Sequence, residues 1–179
     1  MTCNYQDKLI IFFTSKGNFE VELFGSSSPL TVSNFIQNIN NKIYKDISFY
    51  KIINYPNTKI IHGGLFSKNN SEKIENKNIN YLNNIPLELK FNDKKEPIYN
   101  FQINDPIKKD NLKNKFERGS LAMVKSGKNK SSSTEFFFSL SKSPELDGRY
   151  SIFGRVTKGY EILESLKEND SLKKIEIYY

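Results

Sequence analysis

Residues 9–24 read LIIFFTSKGNFEVELF, two apolar-rich runs joined across Lys16 and Gly17. In the second run Phe19, Val21 and Leu23 alternate with Glu20 and Glu22, the period-two pattern of a strand with one buried face, so the stretch predicts a β-hairpin. The period then changes. In SPLTVSNFIQNIN, Val32, Phe35, Ile36 and Ile39 recur at i, i+3, i+4 and i+7, which predicts a helix with one buried stripe. Ser28 stands at the N-cap and Pro29 at the first helical position, where its missing N–H costs nothing. ISFYKII and KIIHGG return to strand composition, and the paired glycines 63 and 64 imply a tight turn or a close approach of backbone.

From Ser67 to about Lys95 the chain is polar and nearly without periodicity, which predicts a long surface loop rather than a second domain. SLAMV, EFFFSL and SIFGRV then have strand composition, a short helix is expected around Tyr160–Lys167, and KIEIYY closes as an alternating strand. Many strands with two convincing helices predict a closed antiparallel barrel capped by helices. The triplet in TEFFFSL is informative: in a strand Phe136 and Phe138 share one face, while Glu135 and Phe137 share the other. One face suits a core, which leaves the other for a different task.

A chain of 179 residues suits a single domain over 1–179, able to bury roughly 70% of its unfolded surface. With Cys3 as the one cysteine no internal disulfide forms, and a reducing compartment is the simpler setting. With His62 as the one histidine no His/Cys zinc cluster can be assembled, so no metal and no other cofactor are expected. LIIFF is too short for a signal-peptide core or a membrane span, so the chain is expected off the membrane, cytoplasmic or nuclear; it is also expected to be a monomer. The net charge of +7 comes from lysines scattered among asparagines, which reads as a solvated surface. A denser set at Lys108, Lys109, Lys113, Lys115 and Arg118 keeps a weaker nucleic-acid option open.

Seven stretches in fixed order carry a resemblance: ELF at 22–24, NFIQ at 34–37, SFYKI at 48–52, HGG at 62–64, SLAMV at 120–124, EFFFSL at 135–140 and LDGRYSIFG at 146–154. Each alone is weak; the ordered set resembles the cyclophilins, the peptidyl-prolyl cis-trans isomerase family, from about Leu9 to Tyr179 with 67–95 as an insertion. The resemblance implies a mostly β fold, a closed eight-stranded antiparallel barrel capped by two α-helices. A shallow groove on its outer wall would hold an X-Pro segment of another protein. Phe136 and Phe138 would fill the core and Phe137 would floor the groove.

In such a family, rotation about the X-Pro bond is helped by an arginine that donates toward the prolyl nitrogen. Here Lys51, in Phe49-Tyr50-Lys51-Ile52, stands in that place as the catalytic candidate; it keeps the charge without the planar fork of donors. Counting back from the glycines, Lys59, Ile60 and His62 take the places of a pocket phenylalanine, methionine and glutamine, and Tyr55 is a candidate to replace the missing ring. Val124 and Lys125 replace a small residue and an amide that contact bound peptide. Glu135 replaces a glutamine, Tyr150 a histidine, and Glu145 the tryptophan that hydrogen-bonds cyclosporin in typical members; Leu146 and Phe137 match the family. Glu145 together with EFFFSL and NFIQ looks most like the branch built into the splicing machinery, some of whose members have lost activity.

A lone histidine before Gly-Gly is by default structural, and Glu135 and Glu145 read as solvated carboxylates because isomerisation moves no proton. The charges nevertheless make the groove a poorer host for a bare X-Pro peptide and a possible selector of a charged partner. Three functions follow: an isomerase of reduced rate, a non-catalytic scaffold docking into a larger multiprotein assembly, and a nucleic-acid contact protein.

Overall fold

The computed structural model describes residues 6–54, 56, 58–64 and 84–178. Strands β1 (Lys8–Thr14) and β2 (Gly17–Leu23) form the expected hairpin, pairing Ile10 with Val21 and Phe12 with Phe19. Their inward faces meet directly: the Phe12 and Phe19 rings stack at 4.8 Å. Helix α1 (Pro29–Asn40) follows and buries Val32 and Phe35, with Ile36 and Ile39 packed at the margin.

Its N-terminus is capped differently from expectation. Ser28 occupies the cap position, but its hydroxyl donates to the Ile152 carbonyl at 2.9 Å. The first free amides of α1 instead donate to Glu88, Leu30 at 3.1 Å and Thr31 at 2.8 Å, and the Thr31 hydroxyl adds a third bond at 2.6 Å. A carboxylate is the better partner for the positive end of a helix than a hydroxyl. Glu88 is 1% exposed; burial pushes its pKa up, and the bonds from Thr31, Leu30 and Tyr99 oppose that rise.

The remaining strands in chain order are β3 (Ile47–Ser48), β4 (Lys51–Asn54), β5 (Lys59–Gly64), β6 (Ile85–Pro86), β7 (Glu88–Leu89), β8 (Ile98–Tyr99), β9 (Ser120–Gly127), β10 (Lys130–Ser139), β11 (Ile152–Lys158) and β12 (Ser171–Tyr178). A one-turn helix α2 spans Pro106–Asp110, and α3 spans Tyr160–Ser165, shorter than the expected Tyr160–Lys167. Among the described residues ten strands form one antiparallel sheet in the order β3-β12-β1-β2-β11-β9-β10-β5-β4, with β6 paired to β10; β7 and β8 form a separate ladder.

The mostly β, antiparallel architecture is as expected; among the described residues the sheet curls with ten strands and two edges instead of closing over eight. Its edges, β3 and β4, are successive pieces of chain joined by Phe49 and Tyr50. Phe49 exchanges backbone hydrogen bonds with Asp170 and Asn169 on one side, while the Tyr50 amide donates to His62 on the other. One short segment thus serves both ends of the sheet, and a ladder between β3 and β4 has no strand left to form it.

The core lies inside the curl. Phe12, Phe19, Phe35, Phe49, Phe136, Phe138 and Phe153 are all 1% exposed or less. The glycine pair makes room for them: a Cβ on Gly63 would sit 2.8 Å from the Phe136 ring, and Gly64 has φ +102°, where a Cβ would lie 2.2 Å from the Thr134 carbonyl oxygen. Of the stretch 67–95 expected as a polar loop, residues 67–83 lie outside the described residues, as does Tyr55. Residues 84–95 depart from the expectation, because Ile85, Leu87, Leu89 and Phe91 are buried along with Glu88, and Leu87, Leu89 and Phe91 form a small cluster with Leu112.

Candidate functional site

Strand parity sends Phe137 to the opposite face from Phe136 and Phe138. The registers then place Lys51, His62, Phe137, Ala122 and Ile152 in one row across β4, β5, β10, β9 and β11. This outer face carries its own apolar cluster: Ile60, Phe116, Ala122, Phe137 and Ile152 are buried, and Val124, Leu146 and Tyr150 pack at its edge. Phe116 stacks on Phe137 at 5.8 Å and 9°, Tyr150 meets it edge-on at 5.1 Å, and the His62 ring lies 5.6 Å away at 26°. Phe137 itself is only 2% exposed, so it is a floor under other groups.

The polar candidates border this floor. Lys51 is exposed and sits opposite His62 in the ladder. Burial first, and the Lys51 charge second, hold the His62 pKa down to about 4, so at neutral pH the imidazole is uncharged. Tyr50, one residue before, places its ring 5.8 Å from His62 and donates its hydroxyl to Glu135 at 3.0 Å. Burial and the Glu135 carboxylate push the Tyr50 phenol up. Glu135 also accepts from the Ser132 hydroxyl at 3.3 Å; burial raises its pKa, and the bonds from Tyr50 and Ser132 oppose that. Glu145 lies on a single 3₁₀ turn, Pro144–Leu146, and accepts from the Thr58 hydroxyl at 2.8 Å. Lys125 holds its ammonium over the Tyr150 ring, 5.8 Å from the centroid.

One candidate falls away from the group. Ile60 and His62 face outward, so parity turns Lys59 with Ile61 to the other side of β5, where the Lys59 ammonium donates to the Glu164 carbonyl of α3 at 3.3 Å. Four groups absent from the sequence reading join the site: Tyr50, Phe116, Ala122 and Ile152. Phe116 is a lone aromatic in the charged run Lys113–Arg118, the one local signal of its role. Its amide donates to the Asp147 carboxylate at 2.7 Å, so the LDGR stretch positions a ring that covers Phe137.

Chemically, the site combines an aromatic floor, an exposed ammonium, a neutral imidazole and carboxylates already engaged by hydroxyls. Glu135 and Glu145 have separate partners and make no acid/base pair. Among the described residues no three His, Cys, Asp or Glu side chains could hold a metal, and no helix is long and apolar enough to cross a membrane.

Comparison with known proteins fits this arrangement. The peptidyl-prolyl cis-trans isomerase-like 1 protein of Emericella nidulans is 31% identical over 157 residues, 88% of this chain and 80% of the relative. The peptidyl-prolyl cis-trans isomerase CYP18-2 of Arabidopsis thaliana is 30% identical over 153 residues, 86% of this chain and 76% of the relative. The fold is similar to a crystal structure of a cyclophilin type peptidyl-prolyl cis-trans isomerase from Cryptosporidium parvum, with TM-score 0.67, 22% identity, and 97% and 99% of the two chains covered. The same Cryptosporidium protein has been solved in the presence of the dipeptide Ala-Pro, and that structure matches with TM-score 0.63, 24% identity, and 97% and 99% coverage. The family model described as cyclophilin type peptidyl-prolyl cis-trans isomerase/CLD matches residues 9–177, and the chain belongs to that family.

Proposed function

We propose that this cyclophilin-type domain binds X-Pro segments of proteins on the outer face over Phe137 and isomerises them slowly, with Lys51 as the electrostatic group. The row Lys51–His62–Phe137–Ala122–Ile152 carries the reading, because it sets a cation at one end of an aromatic floor. Ile60, Val124, Leu146 and Tyr150 supply the apolar walls, while His62, Lys125, Glu135 and Glu145 border them. The relative solved in the presence of Ala-Pro supports the ligand class.

The reaction breaks amide conjugation across a barrier of ~18–20 kcal/mol and makes no bond. A donor near the prolyl nitrogen favours its pyramidal form and so acts more on the twisted state than on the planar one. Lys51 offers one compact charge where a guanidinium offers two aligned donors, so the contribution is smaller. His62, neutral at pH 7, adds no competing positive charge.

The test is an isomerase assay on a proline tetrapeptide. Lys51→Arg should raise kcat/KM about tenfold and Lys51→Ala should lower it by a similar factor, each about 1.4 kcal/mol of barrier. A rate equal to buffer for all three proteins removes the catalytic part of the reading.

A second reading, a scaffold that docks without catalysis into a larger assembly, is favoured by one observation. Phe116, Tyr150 and His62 leave Phe137 2% exposed, which gives a proline ring little of the floor to touch. Co-purification that recovers only a lone, rapidly isomerising monomer would count against it.

A further inference from the structure

The charged groups around the aromatic floor are unequal in what they leave available. Glu135 is held by the Tyr50 and Ser132 hydroxyls, Glu145 by the Thr58 hydroxyl, and Asp147, 5% exposed, by the Phe116 amide. The cations are not matched in this way. Among the described residues Lys125 and Arg149 have no carboxylate partner, and neither does Lys51 at the other end of the row.

Lys125 and Arg149 also act on each other. Lys125 is partly withdrawn from water, and together with the nearby Arg149 guanidinium this lowers the pKa of its ammonium. The Lys125 ammonium lies over the ring of Tyr150, the residue next to the exposed Arg149, so an anion beside this ring meets two positive charges at the border of an apolar surface. The location is defined: the Lys125 ammonium lies 5.8 Å from the Tyr150 centroid, and that ring lies 5.1 Å from Phe137. Since extended chain advances about 3.3–3.6 Å per residue, a side chain one to three positions from a proline seated over Phe137 reaches the Lys125 ammonium.

We propose that Lys125 and Arg149 form a subsite for a carboxylate side chain flanking the proline, so the preferred partner is an acidic X-Pro segment of another protein. The inference rests on the prolyl-peptide reading above. A nucleic acid is the less favoured occupant of this face, because the Tyr150 ring is already engaged edge-on by Phe137 and Phe116 and by Lys125 over its face. The other basic stretch is partly neutralised, with Lys115 on Asp110 and Arg118 on Glu164.

The test is fluorescence anisotropy with four labelled peptides of equal length: a neutral X-Pro peptide, one with glutamates flanking the proline, one with lysines there, and the glutamate peptide with alanine replacing proline. The acidic prolyl peptide should bind about tenfold more tightly than the neutral one at low salt, the lysine peptide more weakly than either, and the advantage should shrink as salt rises. In Arg149→Glu, at an exposed position, the advantage of the acidic over the lysine peptide should vanish, because the new carboxylate cancels the Lys125 charge. Equal binding of all three prolyl peptides overturns the acidic subsite and leaves the prolyl-peptide reading standing. Binding of none overturns both. An acidic peptide that binds as well without its proline, or a single-stranded RNA that displaces it at comparable concentration, also overturns the proposal.

Discussion

His62 sits between a cation and a stacked aromatic ring, and its environment fixes the sign of a pH effect. Its folded pKa is about 4, against about 6.5 for an exposed histidine. Between those values the unfolded chain binds a proton that the folded chain refuses, so stability is complete above about pH 6.5 and declines as pH falls toward 4. At ~1.4 kcal/mol per pH unit, discounted for partial exposure, the loss is about 1–2 kcal/mol. Glu88, Glu135 and Asp147 act in the opposite direction because burial raises their pKa values, so the informative quantity is a difference between proteins. Thermal melts from pH 7 to 4.5 should show a steeper fall for the wild type than for His62→Gln. Parallel curves would contradict the neutral, buried imidazole.

At the scale of elements, α1 depends on a residue remote in sequence. Glu88→Ala leaves the Leu30 and Thr31 amides and the Thr31 hydroxyl without their acceptor, at a cost of about 2–3 kcal/mol, whereas Glu88→Gln, which keeps one oxygen, should cost less. Urea denaturation checks the ranking; equal midpoints for the three proteins would show that the cap contributes nothing. The helix and the β1–β2 hairpin were legible because their periods are local. The cap was not, because Ser28 fits the local rule and its true competitor lies in IPLELKF. That stretch carries a period-two pattern at 85, 87, 89 and 91 hidden within a polar region. Lys59 shows the same limit from the other side. Likeness to a family motif placed it in the pocket, while strand parity, readable from Ile60 and His62, places it on the opposite face.

For the molecule as a whole, the organising feature is a strand, β10, that faces two clusters at once. Phe136 belongs to the inner one and Phe137 to the outer. Phe136→Leu should therefore lower stability by about 1–3 kcal/mol with little change in peptide affinity for the protein that remains folded. Phe137→Leu should weaken prolyl-peptide binding by more than its effect on the melting temperature accounts for. The inner role and the outer role of this triplet were both visible in the letters, since alternation alone separates them. The cover on the outer face was not, because Phe116 is held over Phe137 by long-range bonds, its amide donating to Asp147 and its carbonyl accepting from Ser143, contacts without a local pattern.

The most direct test of where the ligand sits is amide chemical-shift mapping during titration with an X-Pro peptide. The largest changes should trace the outer row, at Lys51, His62, Ala122, Phe137 and Ile152, and extend to Tyr150. Changes gathered instead in the groove lined by Ile39, Tyr44 and Ile175, between α1 and β12, would contradict this placement.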